Sequence, residues 1–448
     1  MAKQEREPHS GRRVALFPLP FQGHLSPMLQ LAALLRSRGF AVTVLHTGFN
    51  APDPARHREL AFVPIHETLP EEATSPDAGI VAQLIALNAA CEAPFQDALA
   101  SLLPDVACVV VDGQWYAALG AAALVGVPAL ALRTDSAATF RSMLAYPRLR
   151  DAGYIPIQGK NDERLDEPVP ELEPLRVRDL IRVDGCEADA LCGFITRVAD
   201  AMRASASGVV VNTFDAIEAS VLGKIETELS QPAFAVGPLH KLSPMAAAEH
   251  NFLHSPDRGC LAWLDAHPPR SVLYVSLGSV ACIDRGVFDE MAWALAGSGA
   301  PFLWVIRPGS VRGGEPPLPF GLDMSRGKIV PWAPQRDVLA HPATGGFWTH
   351  CGWNSTLESV CEGVPMLAQP CFADQTVNAR YVTHQWGVGL ELGEVFDRAR
   401  VAEAVRRLMV GEECAAMRES ARRLKIQAKQ CVSATVAMDN LVKYICSL

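Results

Sequence analysis

The chain has 448 residues, 49% of them hydrophobic and 20% charged, with a formal net charge of −9 and an isoelectric point near 5.8. That length accommodates two or three domains with large cores, and the acidic balance gives no electrostatic basis for binding nucleic acid or an anionic membrane. Twelve cysteines at irregular intervals form no CxxC pair, in a chain too large to need disulfide staples, so most read as buried, reduced thiols.

The N-terminal stretch "MAKQEREPHSGRR" is a charged tail with no apolar signal core after it, which points to a cytoplasmic protein. Short apolar runs follow: "RVALFP" (13–18), "FAVTVLH" (40–46), "LAFVPI" (60–65), "ACVVVD" (107–112), "PALALR" (128–133) and "GVVVNTF" (208–214). The longest uncharged run, Trp115 to Leu132, is broken by Gly120, Gly126 and Pro128 and falls short of the ~20 apolar residues of a membrane helix. It reads as helix, turn, strand. The Pro-rich segment 145–182 reads equally as the border of a pocket in the first domain or as a surface excursion. A stretch without apolar period, 234–259, contains the linker, placed at 241–258. The pattern then repeats with "SVLYVSLG" (271–278), "PFLWVI" (301–306), "KIVPW" (328–332), "TGGFWTH" (344–350) and "VPMLAQ" (364–369).

Runs apolar on both faces, joined by helical patterns such as 28–38, 285–297 and 401–409, specify parallel sheets covered by helices. The expected architecture is α/β, two Rossmann-like doubly wound domains at 1–240 and 259–430, facing across a cleft at the carboxyl ends of their strands. Two helical patterns close the chain in 412–448.

No GxGxxG follows a strand, and both "GK" pairs are followed by Ile, which disfavours dinucleotide and P-loop sites. The stretch "THCGWNSTLESVCEGVP" (349–365) reads as a strand end, a turn from His350 to Asn354 and a helix from about Ser355. A helix N-terminus at the end of a parallel strand suits a phosphate, with His350, Asn354 and Ser355 adding donors and Gly352 allowing close approach. Ser355 to Glu358 also reads as a capping box, and both readings stand on these residues alone. Ten-residue gaps separating Cys351, Cys361 and Cys371 do not match metal-ligand spacing.

From Trp332 to Gln375 the chain reads "WAPQRDVLAHPATGGFWTHCGWNSTLESVCEGVPMLAQPCFADQ". This resembles the signature box of plant secondary-product UDP-sugar-dependent glycosyltransferases. The resemblance implies that Trp332 stacks on uracil, with Ala333 and Gln335 at its edge, that His350, Asn354 and Ser355 hold the diphosphate, and that Glu358 accepts from the ribose. It implies that Trp353, Asp374 and Gln375 contact the sugar, glucose by preference, and that "SLGS" (276–279) adds Gly278 and Ser279 to the phosphate side. "FPLPFQGHLSPMLQLAALL" (17–35) is similar to the family's first strand and catalytic turn, making His24 the general base, and "CVVVDG" makes Asp112 its partner. The implied fold is GT-B, with 431–448 returning to the first domain.

The activity implied is inverting transfer from UDP-glucose, a co-substrate, to a hydroxyl, without cofactor or metal, since no Asp-x-Asp occurs. A monomer without nucleic-acid or membrane partners is expected. Over "LPFQGHLSPMLQL", "VTVLHTGFNAPDPARH" and "YVSLGSVA" the chain is most similar to grass members, including benzoxazinoid O-glucosyltransferases, with flavonoid, phenolic, diterpenoid or hormone acceptors as alternatives. Phe21, Trp115, Phe140, Met143, Leu144 and Phe194 are apolar candidates for the acceptor pocket, each equally readable as core, and Thr134 or Ser136 are candidates to reach the sugar. A UDP-sugar epimerase or hydrolase, or a non-catalytic binder, are the competing functions.

Overall fold

The computed structural model describes residues 11–75, 79–157, 162–183, 185–243, 255–314, 317–319, 321, 323–393, 396–434 and 436–448. By its internal contacts the chain divides into one unit of 1–159, 183–251 and 431–448, and a second of 160–182 and 252–430. The linker candidate lies largely outside the described residues.

The first unit holds a sheet of seven strands: β1 (Arg13–Phe17), β2 (Ala41–His46), β3 (Ala61–Pro64), β4 (Val106–Asp112), β5 (Ala129–Arg133), β6 (Ala206–Val211) and β7 (Ala233–Ala235). Their order is β3-β2-β1-β4-β5-β6-β7, and every pair is parallel. Helices on both faces explain the sequence pattern, because a strand covered on each side carries apolar residues consecutively. Val14, Ala15, Leu16 and Phe17 are all fully buried. The second unit repeats the plan with β8 (Val272–Ser276), β9 (Phe302–Val305), β10 (Gly327–Val330), β11 (Thr344–Thr349), β12 (Met366–Ala368) and β13 (Gly389–Glu391), ordered β10-β9-β8-β11-β12-β13 and again parallel throughout.

Four features differ from the sequence reading. β7 and β13 are three-residue edge strands, too short to show a pattern, and β7 falls at the start of the stretch read as linker. The first helix spans Gln22–Ser37 with Pro27 inside it, where the reading began it after the proline; burial of Leu25, Met28 and Leu29 holds its first turns against the sheet. Segment 162–182, assigned by position to the first domain, belongs to the second unit. There the Arg182 carbonyl accepts from Ala373 N at 2.7 Å, Arg380 Nε donates to the Pro174 carbonyl at 2.9 Å, and buried Asp179 pairs with Arg176 and Arg380.

Among the described residues no two cysteines form a disulfide, and seven of the twelve are buried. Among the described residues no helix is long and apolar enough to cross a membrane.

The terminal helix Val436–Ser447 presents Met438, Leu441, Val442 and Ile445, an i, i+3, i+4, i+7 stripe, to the core containing Val14, Leu16, Val42 and Val110 of the first sheet. Arg12 Nη1 donates to the Cys446 carbonyl at 2.7 Å. Ile445→Ala, which removes a fully buried side chain, is therefore expected to destabilise the first unit by about 2–5 kcal/mol in a denaturant melt.

Candidate active site

In the first sheet the strand order reverses between β1 and β4, the switch point where open α/β sheets bind ligands. His24 stands in the first turn of the helix after β1, and Asp112 is the last residue of β4. Adjacent parallel strands thus bring them together although 88 residues separate them: His24 Nδ1 lies 2.8 Å from Asp112 Oδ2. Asp112 is 1% exposed and His24 26%, so the carboxylate is a buried support and the imidazole has an open edge. Asp112 Oδ1 accepts from Gln114 N at 3.0 Å, which orients the carboxylate. Thr134 Oγ1 is a second neighbour of His24 Nδ1, at 2.9 Å. A proton held on Nδ1 by these oxygens leaves Nε2 as the basic nitrogen. Burial works against the protonated imidazole, but the charge and hydrogen bond of Asp112, helped by Asp135 and opposed by Arg133, raise the His24 pKa above its ordinary 6.5.

Of the acceptor-pocket candidates, Phe21 flanks this dyad, its ring edge-on to His24 at 6.5 Å and to Phe49 at 6.4 Å. The others are core. Trp115 is fully buried, stacked at 4.7 Å on Phe17, which stacks on Phe95 at 4.7 Å. Phe140 and Leu144 are fully buried and Met143 and Phe194 nearly so; Phe140 lies beneath the Arg133 guanidinium at 4.5 Å, Met143 Sδ is 3.1 Å from Arg133 Nη2, and Phe194 packs edge-on to Tyr116. Ser136 caps the helix Ala137–Asp151, its Oγ accepting from Thr139 N at 3.0 Å. Thr134, a candidate to reach the sugar, instead reaches His24. Phe49, Arg133 and Asp135 went unrecognised, since nothing in their spacing marks them.

The second sheet reverses between β8 and β11, and the loops after those strands meet. Gly278 follows β8 with φ +79, and a Cβ there would lie 2.6 Å from the His350 ring; a Cβ on Gly352 would lie 2.4 Å from His350 Nε2. Both glycines thus make room for the imidazole, a closer constraint than ligand approach. Cys351, between His350 and Gly352, is left-handed, with φ 62. The turn is held by its N–H donating to Thr349 Oγ1 at 3.1 Å and by its carbonyl accepting from buried Asn378 Nδ2 at 3.0 Å, so this cysteine is a turn residue as well as a packing one. Ser279 is half-buried in the turn after β8.

The helix spans Trp353–Glu362, its N-cap is Gly352, and no side chain caps it. That removes the capping-box reading: Ser355 is the third helical residue and Glu358 lies one turn further on. Both are instead tied to Gln335, whose Nε2 donates to Ser355 Oγ at 2.9 Å and Glu358 Oε2 at 2.7 Å, while its Oε1 accepts from Tyr274 at 3.3 Å. Trp332 is half-buried just beyond β10, with Ala333 buried beside it, and Asn354 is half-buried in the helix's first turn. The first-turn N–H groups have no intrahelical acceptor, and their dipole end is positive. Trp353 is a partial correction: its ring is buried against Trp386 at 6.3 Å, so only its backbone N–H stands at the helix start.

Asp374 precedes the helix Gln375–Arg380 and accepts from Asn378 Nδ2 at 2.8 Å. Gln375 is buried, and its Oε1 accepts from Cys371 N at 2.8 Å and Phe372 N at 3.2 Å, which leaves its Nε2 as the group able to donate elsewhere. Ala373, left-handed with φ 58, is held by Arg182 of the displaced segment. Among the described residues no group of three or more His, Cys, Asp or Glu is gathered as metal ligands would be.

Burial drives the His350 pKa down to about 4, and its buried Nδ1 has no hydrogen-bond partner, so the ring is a neutral group at pH 7. Between pH 6.5 and about 4 the unfolded chain takes up a proton that the folded chain refuses, so this site's stability contribution is lost as pH falls through that window. The melting temperature of His350→Gln is accordingly expected to fall less than the wild-type value between pH 7 and pH 5.

A profile of the UDP-glucoronosyl and UDP-glucosyl transferase family matches residues 175–424. Over 97% of its length the chain is 48% identical to the DIMBOA UDP-glucosyltransferase BX8 of Zea mays, covering 98% of that protein. It is 40% identical to UDP-glycosyltransferase 76B1 of Arabidopsis thaliana, with 97% and 98% covered. Among solved structures, UGT2 of Phytolacca americana complexed with UDP-2fluoro-glucose and pterostilbene superposes with a TM-score of 0.80 at 28% identity, over 97% of this chain and 99% of that one. Os79 of O. sativa in complex with UDP gives 0.77 at 28% identity, again over 97% and 99%. The two Rossmann-like units are those of the GT-B fold, and the chain belongs to the UDP-glucoronosyl and UDP-glucosyl transferase family as a plant-type UDP-glycosyltransferase.

Proposed function

We propose that the protein transfers glucose from UDP-glucose to a hydroxyl of a small plant secondary metabolite with inversion, forming a β-glucoside, and that a benzoxazinoid of the DIMBOA type heads the acceptors. The reaction rests on the 2.8 Å contact between His24 and Asp112; the acceptor class rests on the likeness to the maize enzyme. Flavonoids and other phenolics are the next class, favoured by the half-buried aromatic edges of Phe21 and Phe49 beside His24.

In this mechanism the acceptor oxygen attacks the anomeric carbon, its proton passes to His24 Nε2, and the bond from that carbon to the diphosphate oxygen breaks as UDP departs. Asp112 stabilises the imidazolium that forms. A phenol near pKa 10 and a histidine near 6.5 differ by roughly 3–4 units, and the upward shift of His24 narrows the gap, so the proton moves in concert with attack. His350, Asn354, Ser355 and the first-turn N–H groups stabilise the negative charge of the leaving UDP, with Gly278 and Ser279 on its other side. Trp332, Ala333 and Gln335 hold the uracil, Glu358 the ribose, and Asp374 with Gln375 Nε2 the glucose. The protein works as a cytoplasmic monomer without metal or cofactor.

Incubation with UDP-glucose and a panel of benzoxazinoid, flavonoid and phenolic acceptors is expected to yield a product one hexose heavier, with a large diaxial coupling at the anomeric proton. No glucoside from any of them, or an α-linked product, would overturn the reading. His24→Ala is expected to abolish transfer while leaving UDP affinity within about threefold. In the wild type the acid limb of kcat/KM is expected to lie above pH 6.5, the unshifted value for His24, and Asp112→Asn is expected to move it down.

A further inference from the structure

We propose that Arg133 is a positioning residue for glucosyl transfer: its buried guanidinium clasps the loops after β4 and β5 and so sets both oxygens that hold His24 Nδ1. The inference rests on the assignment of His24 and Asp112 as the acid–base dyad.

Arg133 is the last residue of β5 and is 1% exposed. Its Nη1 donates to the Gly113 carbonyl at 3.0 Å, one residue beyond Asp112. Its Nε donates to Asp135 Oδ1 at 2.9 Å, and Nη2 closes the fork on Asp135 Oδ2. Thr134, between the two ends of that fork, supplies the second contact to His24 Nδ1. One planar guanidinium therefore joins the backbone next to Asp112 to the side chain next to Thr134. The stack on Phe140 at 4.5 Å and the contact with Met143 Sδ fix its plane from the helix Ala137–Asp151. The space is fitted to it, since a Cβ on Gly113 would lie 2.6 Å from both Cδ and Nη1 of Arg133.

The chemistry requires arginine. A fork that donates to a carboxylate through two nitrogens and to a carbonyl through a third needs the planar five-donor group, whereas the ammonium of lysine keeps the charge but is a single point. An uncompensated burial is avoided because Asp135 is beside it. Loss of the fork leaves Asp112 and Thr134 in place in the sequence but lets their loops move independently, and displacement of a catalytic base by about 1 Å costs up to about a hundredfold in rate.

The test compares wild type, Arg133→Lys, Gly113→Ala and His24→Ala, each with its UDP-binding stoichiometry and melting temperature measured, in steady-state transfer from UDP-glucose. Arg133→Lys is expected to lower kcat at least tenfold per UDP-binding chain, with the KM for UDP-glucose within twofold. Gly113→Ala keeps every charged group and displaces the guanidinium by steric pressure alone, and is expected to lower kcat in the same way; it decides the matter if Arg133→Lys does not fold. A kcat within twofold of wild type in a folded Arg133→Lys or Gly113→Ala overturns the proposal, and so does a loss of rate wholly accounted for by fewer UDP-binding chains. If His24→Ala itself retains transfer, the dyad assignment has failed, an outcome separate from unchanged rates in the Arg133 and Gly113 variants alone.

Discussion

Both candidate sites of this chain depend on parallel strand pairing with a reversal of order, once at β1 and β4 and once at β8 and β11. At such a point the two crossovers leave toward opposite faces, so the loops at the carboxyl ends of two adjacent strands have open space beside them and little backbone in the way. His24 and Asp112 meet at the first reversal, Gly278 and His350 at the second. In each case the strands fix the distance, and the side chains need only be correct at the strand ends.

The two histidines at these points are tuned in opposite directions by their surroundings. His24 has a buried carboxylate on its Nδ1, which outweighs burial and favours the protonated ring, as the proposed general base requires. His350 sits between two glycines with no carboxylate to offset burial, which keeps it neutral. A neutral donor beside a helix N-terminus stabilises an anion by oriented dipoles, with no fixed cation that must be desolvated. One residue type is thus shifted in two directions, and the difference lies in what stands within hydrogen-bonding distance.

The family was legible because the residues that carry it are contiguous. The box from Trp332 to Gln375 lies within 44 contiguous positions that run helix, strand, helix, strand, and local geometry follows from local sequence. What escaped was set by contacts distant along the chain. Ser355 and Glu358 have the spacing of a capping box, but Gly352 begins the helix earlier and Gln335, 20 and 23 residues away, takes both side chains. Trp115 and Phe140 have the composition of a pocket wall and are core, because Phe17 stacks on the one and the guanidinium of Arg133 covers the other. Segment 162–182 lies among first-unit elements in sequence and packs with the second unit through Asp179, Arg182 and Arg380.

The sequence by itself determined the parallel α/β class, every strand except β7 and β13, the glycosyltransferase family and the identity of the residues at the strand ends. Those properties are written in runs of apolar residues and in contiguous motifs, which need no knowledge of neighbours. Tertiary structure decided the edge strands β7 and β13, the start of the helix at Trp353, the burial of the aromatic candidates and the arginine clasp behind His24. Each of these is a matter of which atoms share a few ångströms of space, and residues 110 positions apart, as Thr134 and His24 are, come within hydrogen-bonding distance only once the sheet has formed.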